Sequence, residues 1–232
     1  GERGYAGASS ALGADHTAFF DGTSASTPMV SGVVALMLQA NPRLSWRDVR
    51  WILAATALPA TLVAGQPAAE PSAINSHGFQ DQVGFGRVNA TGAVNMARSF
   101  AGLGAEKTCS SGTLAGGATV ADNSATAQSL RWSAAACTLS KIEYITVRVA
   151  SDHSYSGDLR LSLRSPLGRI SRLSEPHGCA GGVCTSLLSG FTFGSVRHLG
   201  EAPAGEWTLL VSDEQAEDTG RVVSWEVVLY GH

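Results

Sequence analysis

The sequence predicts a chain in two parts: helices and loops over about its first hundred residues, then an all-β antiparallel sandwich. Three observations predict it. The hydrophobic period changes from 3.6 to 2 near Lys107, short turn signals recur beyond that point, and all four cysteines lie in the second half. At about 150 residues per domain, 232 residues make one large domain or two small ones.

The first part opens its clearest helix after Gly22-Thr23-Ser24. Ala25 to Ala40 is apolar throughout, which suits a buried helix, with Pro28 in its first turn where a missing N–H is harmless. Asn41-Pro42 stops it. Ser45-Trp46-Arg47-Asp48 forms a capping box that opens a second helix to about Ala57, with Trp46, Val49 and Leu53 on one stripe. Pro59 to Gly78 reads as a loop. A third helix follows Asn89 through Ala93, Val94 and Ala97 and ends near Gly102.

The second part alternates. Ile145, Val147 and Val149 face one way against Thr146 and Arg148, and Leu159, Leu161 and Leu163 alternate with Arg160, Ser162 and Arg164. Trp207, Leu209 and Val211 repeat the pattern. So do Val223, Trp225, Val227 and Leu229, which should face a shared interior with Val222, Ser224, Glu226 and Val228 on the opposite face. Turns at Ser156-Gly157-Asp158, Ser165-Pro166-Leu167-Gly168, Pro203-Ala204-Gly205 and Thr219-Gly220 separate the strands. The boundary falls between Gly102 and Lys107, dividing the chain into residues 1–104 and 105–232.

Composition removes several function classes. Sixteen Lys and Arg against nineteen Asp and Glu leave a net charge of −3, which offers no basic field for a phosphate backbone, so nucleic acid is not an expected partner. The longest nearly uncharged apolar stretch, Met29 to Ala40, is too short for a hydrocarbon layer about 30 Å thick, so no membrane span is expected. Charged residues are only 15%, with 27 glycines, a balance common in exported proteins. No signal peptide opens the chain, and its start reads as the middle of something longer. Cys109, Cys137, Cys179 and Cys184 read as two disulfides of an oxidising compartment. Of the three connectivities, Cys109–Cys137 with Cys179–Cys184 is preferred, because Ala180-Gly181-Gly182-Val183 is a loop able to close locally. Zinc is the rival reading, since His177 stands beside that pair, but no second Cys or His pair at ligand spacing accompanies it.

Gly22-Thr23-Ser24-Ala25-Ser26-Thr27-Pro28-Met29-Val30-Ser31-Gly32 carries the chemistry. Ser24 lies at a helix N-terminus, where backbone N–H groups lack intrahelical partners and the dipole is positive. An oxyanion formed by attack of Ser24 on a carbonyl would meet the Ser24 N–H. Ser24 or Thr23 could equally be a helix N-cap, and the residues alone leave both readings standing.

This run resembles the catalytic-serine signature of the subtilisin-like serine proteases, with Ser24 on the nucleophile. The resemblance continues through both helices to Gly84-Phe85-Gly86-Arg87-Val88-Asn89-Ala90, similar to a segment near the end of the kexin-like catalytic domain. The second half resembles the P (Homo B) domain of kexin, furin and bacterial relatives. The residues that carry this are Asp152-His153-Ser154-Tyr155-Ser156-Gly157-Asp158-Leu159, Gly200 through Leu209, Asp218-Thr219-Gly220, Ser224-Trp225 and Leu229-Tyr230-Gly231. The resemblance implies the C-terminal segment of an α/β subtilisin-like domain followed by a jelly-roll-like P domain. It implies a serine endopeptidase acting on protein or peptide substrates through an acyl-enzyme on Ser24. A processing protease selective for basic residues is the alternative within that class, and a non-catalytic structural or binding P-domain fragment the alternative outside it.

In that family the triad Asp and His and an oxyanion Asn lie well upstream of the serine. They would come from an N-terminal part of the same protease, and this chain alone is expected to be inactive. Asp15-His16 is too close to Ser24 for His16 to serve as the base. Asp152-His153-Ser154 is a second decoy, since neighbours on an extended strand point to opposite faces. His77, His177 and His198 read as surface or packed histidines. The resemblance also implies a secreted or periplasmic protein and calcium as a structural ion. The acidic stretch Asp213, Glu214, Glu217 and Asp218 is the candidate for that ion, against a plain solvated turn.

Overall fold

The computed structural model describes residues 22–60, 68–117, 119–179 and 184–232. These form two compact units. One holds the described residues up to Thr56 together with Val88–Ala101; the other holds Ala57–Arg87 with Gly102–His232.

The first unit is helical: α1 (Thr23–Ala40), α2 (Trp46–Thr56) and α3 (Ala90–Ser99). Local signals set their ends. Ser45 receives the Asp48 carboxylate on its N–H and its hydroxyl, both at 2.7 Å, while its Oγ accepts from the Asp48 N–H. That is the reciprocal capping expected there. Asn89 caps α3 by accepting from the Gly92 N–H at 3.0 Å. Asn41 ends α1, and its buried side chain donates to the Ala97 carbonyl at 2.9 Å and the Phe100 carbonyl at 3.2 Å. One amide thus ties the ends of α1 and α3 together and satisfies two carbonyls left over at a helix end.

The core of this unit is small: Met37, Leu44, Ile52, Ala93 and Ala97, with Val49 and Leu53 packed against it. Two expectations fail here. Trp46 does not share the stripe of Val49 and Leu53 but stands 66% exposed, its ring under the Arg50 guanidinium at 5.0 Å. At the first position of α2 it projects from the helix end, and Ile52 takes the central place. Helix α1, predicted buried, buries only Met37 within its unit, with Met29 65% and Leu36 50% exposed.

The second unit is built on two antiparallel sheets. Its strands are β1 (Lys107–Ser110), β2 (Leu114–Ala115), β3 (Ser124–Ser133), β4 (Ile142–Ser151), β5 (Leu159–Arg164), β6 (Ile170–Ser174), β7 (Phe191–Ser195), β8 (Glu206–Asp213) and β9 (Val222–Gly231). One sheet runs β1-β9-β4-β7 with β2 also on β9; the other runs β3-β8-β5-β6. The alternating residues read from the sequence meet in one core: Ile145, Val147 and Val149, Leu159, Leu161 and Leu163, Trp207, Leu209 and Val211, and Trp225, Val227 and Leu229. Trp207 is fully buried without stranding its indole N–H, which donates to the Pro203 carbonyl at 2.9 Å.

The β9 alternation breaks at its start. Val222 is 1% exposed and Val223 48%, the reverse of the expected faces. Opposite this point Ala150 pairs with Ser224 but Ser151 with Val222, so one residue of β4 faces two of β9. The extra residue, Val223, is turned out by a bulge, and the pleat is shifted by one residue before it.

Residues 57–87 hold together by paired bridges: Leu58 with Arg87, Glu70 with Phe79, and Gln80 with Gly84. Buried Arg197, just after β7, anchors the segment. Its guanidinium donates to Glu70 at 2.9 Å and the Pro71 carbonyl at 3.2 Å and lies 4.8 Å over the Phe79 ring. Both cysteine pairs are disulfide-bonded as preferred, Cys109–Cys137 and Cys179–Cys184, with Cα separations of 5.7 and 5.4 Å.

Candidate active-site serine

Ser24 is the second residue of α1 and is exposed. The helix starts two residues earlier than the sequence suggested, which decides two questions. First, neither Ser24 nor Thr23 is the N-cap. Gly22 is, with φ of 69°, a left-handed conformation that favours glycine, and it contributes no side-chain cap. Its carbonyl accepts from Ala25 and Ser26, at 3.2 and 3.3 Å, so the N–H groups at the very tip stay free for a ligand among the described residues. Second, Pro28 falls at the sixth helical position rather than in the first turn. Its missing N–H therefore removes the helical donor to the Ser24 carbonyl.

The hydroxyls of the run separate by their bonds. Thr27 and Ser26 donate back to the Thr23 carbonyl, at 2.7 and 3.3 Å, and Ser31 donates to Thr27 at 3.2 Å. Of these hydroxyls and that of Ser24, only Ser24 Oγ makes no bond to its own helix among the described residues. It stands free beside uncapped N–H groups at the positive end of the dipole, where negative charge on an attacked carbonyl is stabilised.

The described residues of the helical unit contain no histidine, so no general base accompanies Ser24 there. Asp15 and His16 lie outside the described residues. In the β-sandwich unit, Asp152-His153-Ser154 divides among three partners. Asp152 receives the Arg221 N–H at 2.8 Å, His153 Nε2 is 3.1 Å from the Asp213 carboxylate, and Ser154 donates to Asp218 at 2.6 Å. No proton is shared along the triplet.

His198 is fully buried, packed edge-on against Trp207 at 5.1 Å, with Nδ1 3.1 Å from Glu201. Burial pushes the Glu201 carboxyl up, but His198, Ser165 and Arg169 outweigh it and hold it below the ordinary range. His77 touches the Phe85 carbonyl at 2.8 Å, fixing the Gly84-Phe85-Gly86 turn.

Three carboxylates of the acidic stretch are already engaged. Asp213 takes His153, Asp218 takes Ser154, and Glu214 pairs with Arg160 at 2.6 and 2.8 Å, which holds the Glu214 carboxyl low. The sequence reading missed Asp158. Burial first, then Asp213, Asp218 and Asp122, push its carboxyl above the usual range, against the pull of His153. These groups come from distant positions, so no local motif announces them.

The chain matches the Subtilase family over residues 2–86 and the proprotein convertase P-domain over residues 142–229. It is 33% identical to proprotein convertase subtilisin/kexin type 6 of Rattus norvegicus over 230 residues, covering 90% of this chain and 23% of that protein. It is 28% identical to rat furin over 219 residues, covering 90% and 26%. It spans about a quarter of the length of these curated relatives. Among solved structures, the serine protease of Aeromonas sobria superposes with a TM-score of 0.74 at 26% identity, covering 92% of this chain and 44% of that one. With a subtilase segment and a P domain in this order, the chain belongs to the subtilase family, in its kexin- and furin-like group.

Proposed function

We propose that this chain carries the nucleophile of a serine endopeptidase. The observation that carries the reading is the exposed Ser24 hydroxyl, without a partner among the described residues, beside N–H groups at the start of α1 that are likewise unpaired among them. Ser24 Oγ attacks the scissile carbonyl, the Ser24 N–H supplies one oxyanion donor, and the acyl-enzyme is then hydrolysed. The general base and the carboxylate that orients it come from the N-terminal part of the same protease, upstream of this 232-residue chain. Without that base a serine is a weak nucleophile at neutral pH, so this chain alone should not hydrolyse peptides.

Protein substrates fit relatives that are proprotein convertases, and processing at basic residues is the narrower reading, which rests on the family resemblance alone. Two disulfides support an exported protein. No helix among the described residues is long and apolar enough to cross a membrane. Calcium as a structural ion rests on the family resemblance, with most of that family's sites upstream and the acidic stretch Asp213, Glu214, Glu217 and Asp218 the candidate within this chain.

Labelling tests the assignment. A serine-directed fluorophosphonate should modify Ser24 in the complete protease and leave the isolated 232-residue chain unmodified. Labelling of another serine, or hydrolysis by the isolated chain that Ser24→Ala abolishes, would sink the assignment.

A further inference from the structure

A ring nitrogen of His177 and the sulfur atoms of Cys179 and Cys184 lie within 4.8 Å of one another. The disulfide accounts for the two sulfurs but not for the imidazole beside them. His177 Nδ1 lies 2.9 Å from the Glu175 carbonyl, an acceptor only, so Nδ1 carries the proton and Nε2 the lone pair. A metal-binding histidine is commonly prepared in this way.

The three groups are also held by contacts that do not depend on the S–S bond. All of these contacts go to one short segment, Tyr155–Gly157. The His177 N–H donates to the Gly157 carbonyl at 2.8 Å, and the Cys179 N–H donates to the Tyr155 hydroxyl at 2.9 Å. The Cys184 carbonyl accepts from both the N–H and the hydroxyl of Ser156, each at 2.9 Å. Gly157 makes room: a Cβ there would come within 2.9 Å of Cys184 Sγ and collide with the His177 carbonyl. Opening the disulfide therefore leaves both sulfurs tethered beside the imidazole.

We propose that reduction converts this disulfide into a zinc site built from His177, Cys179 and Cys184. A dithiol reductant passes two electrons and two protons to the Cys179–Cys184 bond and becomes a disulfide itself. Zinc then replaces the two thiol protons, which leave to solvent, and binds two thiolates and one neutral imidazole. Bonds of about 2.3 Å to sulfur and about 2.0 Å to nitrogen put tetrahedral ligands roughly 3.5–3.8 Å apart, inside the observed span. Water fills the fourth position, because His177 is exposed while Cys184 is buried. The Cys179–Cys184 pair then has two exclusive states, a disulfide under oxidising conditions and a zinc thiolate under reducing ones.

The test is cobalt titration of the full chain after anaerobic reduction with a trialkylphosphine. One cobalt per chain should produce thiolate charge-transfer absorption and tetrahedral ligand-field bands, and zinc should then displace it. The oxidised chain should show neither. Cys184→Ser should abolish the signal, and His177→Ala, at an exposed position that does not threaten folding, should weaken zinc binding at least about tenfold. Replacing both Cys109 and Cys137 by Ser should leave the signal intact. A reduced chain without charge-transfer absorption would overturn the proposal. So would a His177→Ala chain that binds zinc as tightly as the parent.

Discussion

The helical unit and the β-sandwich unit bury their hydrophobic residues to very different degrees. In the β-sandwich, β4, β5, β8 and β9 each send three alternate residues into a common interior. In the helical unit, an apolar helix of 18 residues buries only Met37. A sheet with one apolar face needs only a second sheet to cover it. A helix apolar on every side needs neighbours all round, and within its unit α1 packs mainly on α3, which in turn carries α2. The proposed chemistry sits on the less enclosed unit, at the N-terminal end of that helix, while the better-packed unit holds none of the proposed catalytic residues.

The largest effect should separate these roles outright. Ser24→Ala in the complete protease should lower turnover by about three orders of magnitude or more, as loss of a nucleophile does elsewhere, with the fold retained. Kinetics beside a thermal melt check both halves of that statement. Residual turnover near the parent level would move the chemistry away from α1.

Trp225→Ala should do the opposite. Trp225 is buried in the β-sandwich core, and its truncation should cost about 3–5 kcal/mol. That is a large share of the roughly 5–15 kcal/mol a domain has. Melting temperature and yield should fall while turnover per titrated active site stays near the parent value. Normal stability with depressed turnover per site would bring the β-sandwich into catalysis.

Within α1 the contrast can be tested on adjacent residues. In the 232-residue chain, Met37→Ala should cost about 2–5 kcal/mol and Leu36→Ala less than about 0.5 kcal/mol, by urea denaturation. Equal costs would show Leu36 to be buried.

Asp158→Asn gives the smallest effect, and it is stabilising. A carboxyl whose folded pKa is raised favours the folded state below its unfolded value, and that benefit is lost as pH rises through the folded value. At pH 7 the native chain therefore holds an unfavourable buried charge, which Asn removes. The variant should melt about 1–3 °C higher at pH 7. The gain should vanish below about pH 3.9, where Asp158 is protonated in both states. A variant that melts lower at pH 7 would mean the carboxylate is needed there.

Features that depend on near neighbours were legible in the sequence. The Ser45–Asp48 capping box, the start of α3 after Asn89, the inward sets on β4, β5 and β8, and the closure of Cys179 on Cys184 all lie within a few residues of their cause. The Gly22-to-Gly32 order marked Ser24 before any geometry was known. Its hydroxyl stood apart from those of Ser26, Thr27 and Ser31 only once the helix start was placed at Thr23.

By itself, then, the sequence marked the three helices, the strands β4, β5, β8 and β9 with the turns about them, the Ser45–Asp48 cap, the preferred cysteine pairing, and the serine that merits the chemical reading. The elements, turns and cap follow from backbone periodicity and from side chains that reach only their own turn, and Ser24 follows from the family resemblance of the Gly22-to-Gly32 order. The tertiary structure alone decided that Val222 rather than Val223 enters the core, that Trp46 stands in solvent, that residues 57–87 pack with the β-sandwich, and that Asp158 is buried among carboxylates. Three of these depend on a partner far along the chain: β4 opposite the bulge, Arg197 over Phe79, and Asp213 beside Asp158; Trp46 is exposed because it stands at the first position of α2, while Ile52 of the same helix takes the core. Local periodicity carries no information about which distant surface a residue will meet.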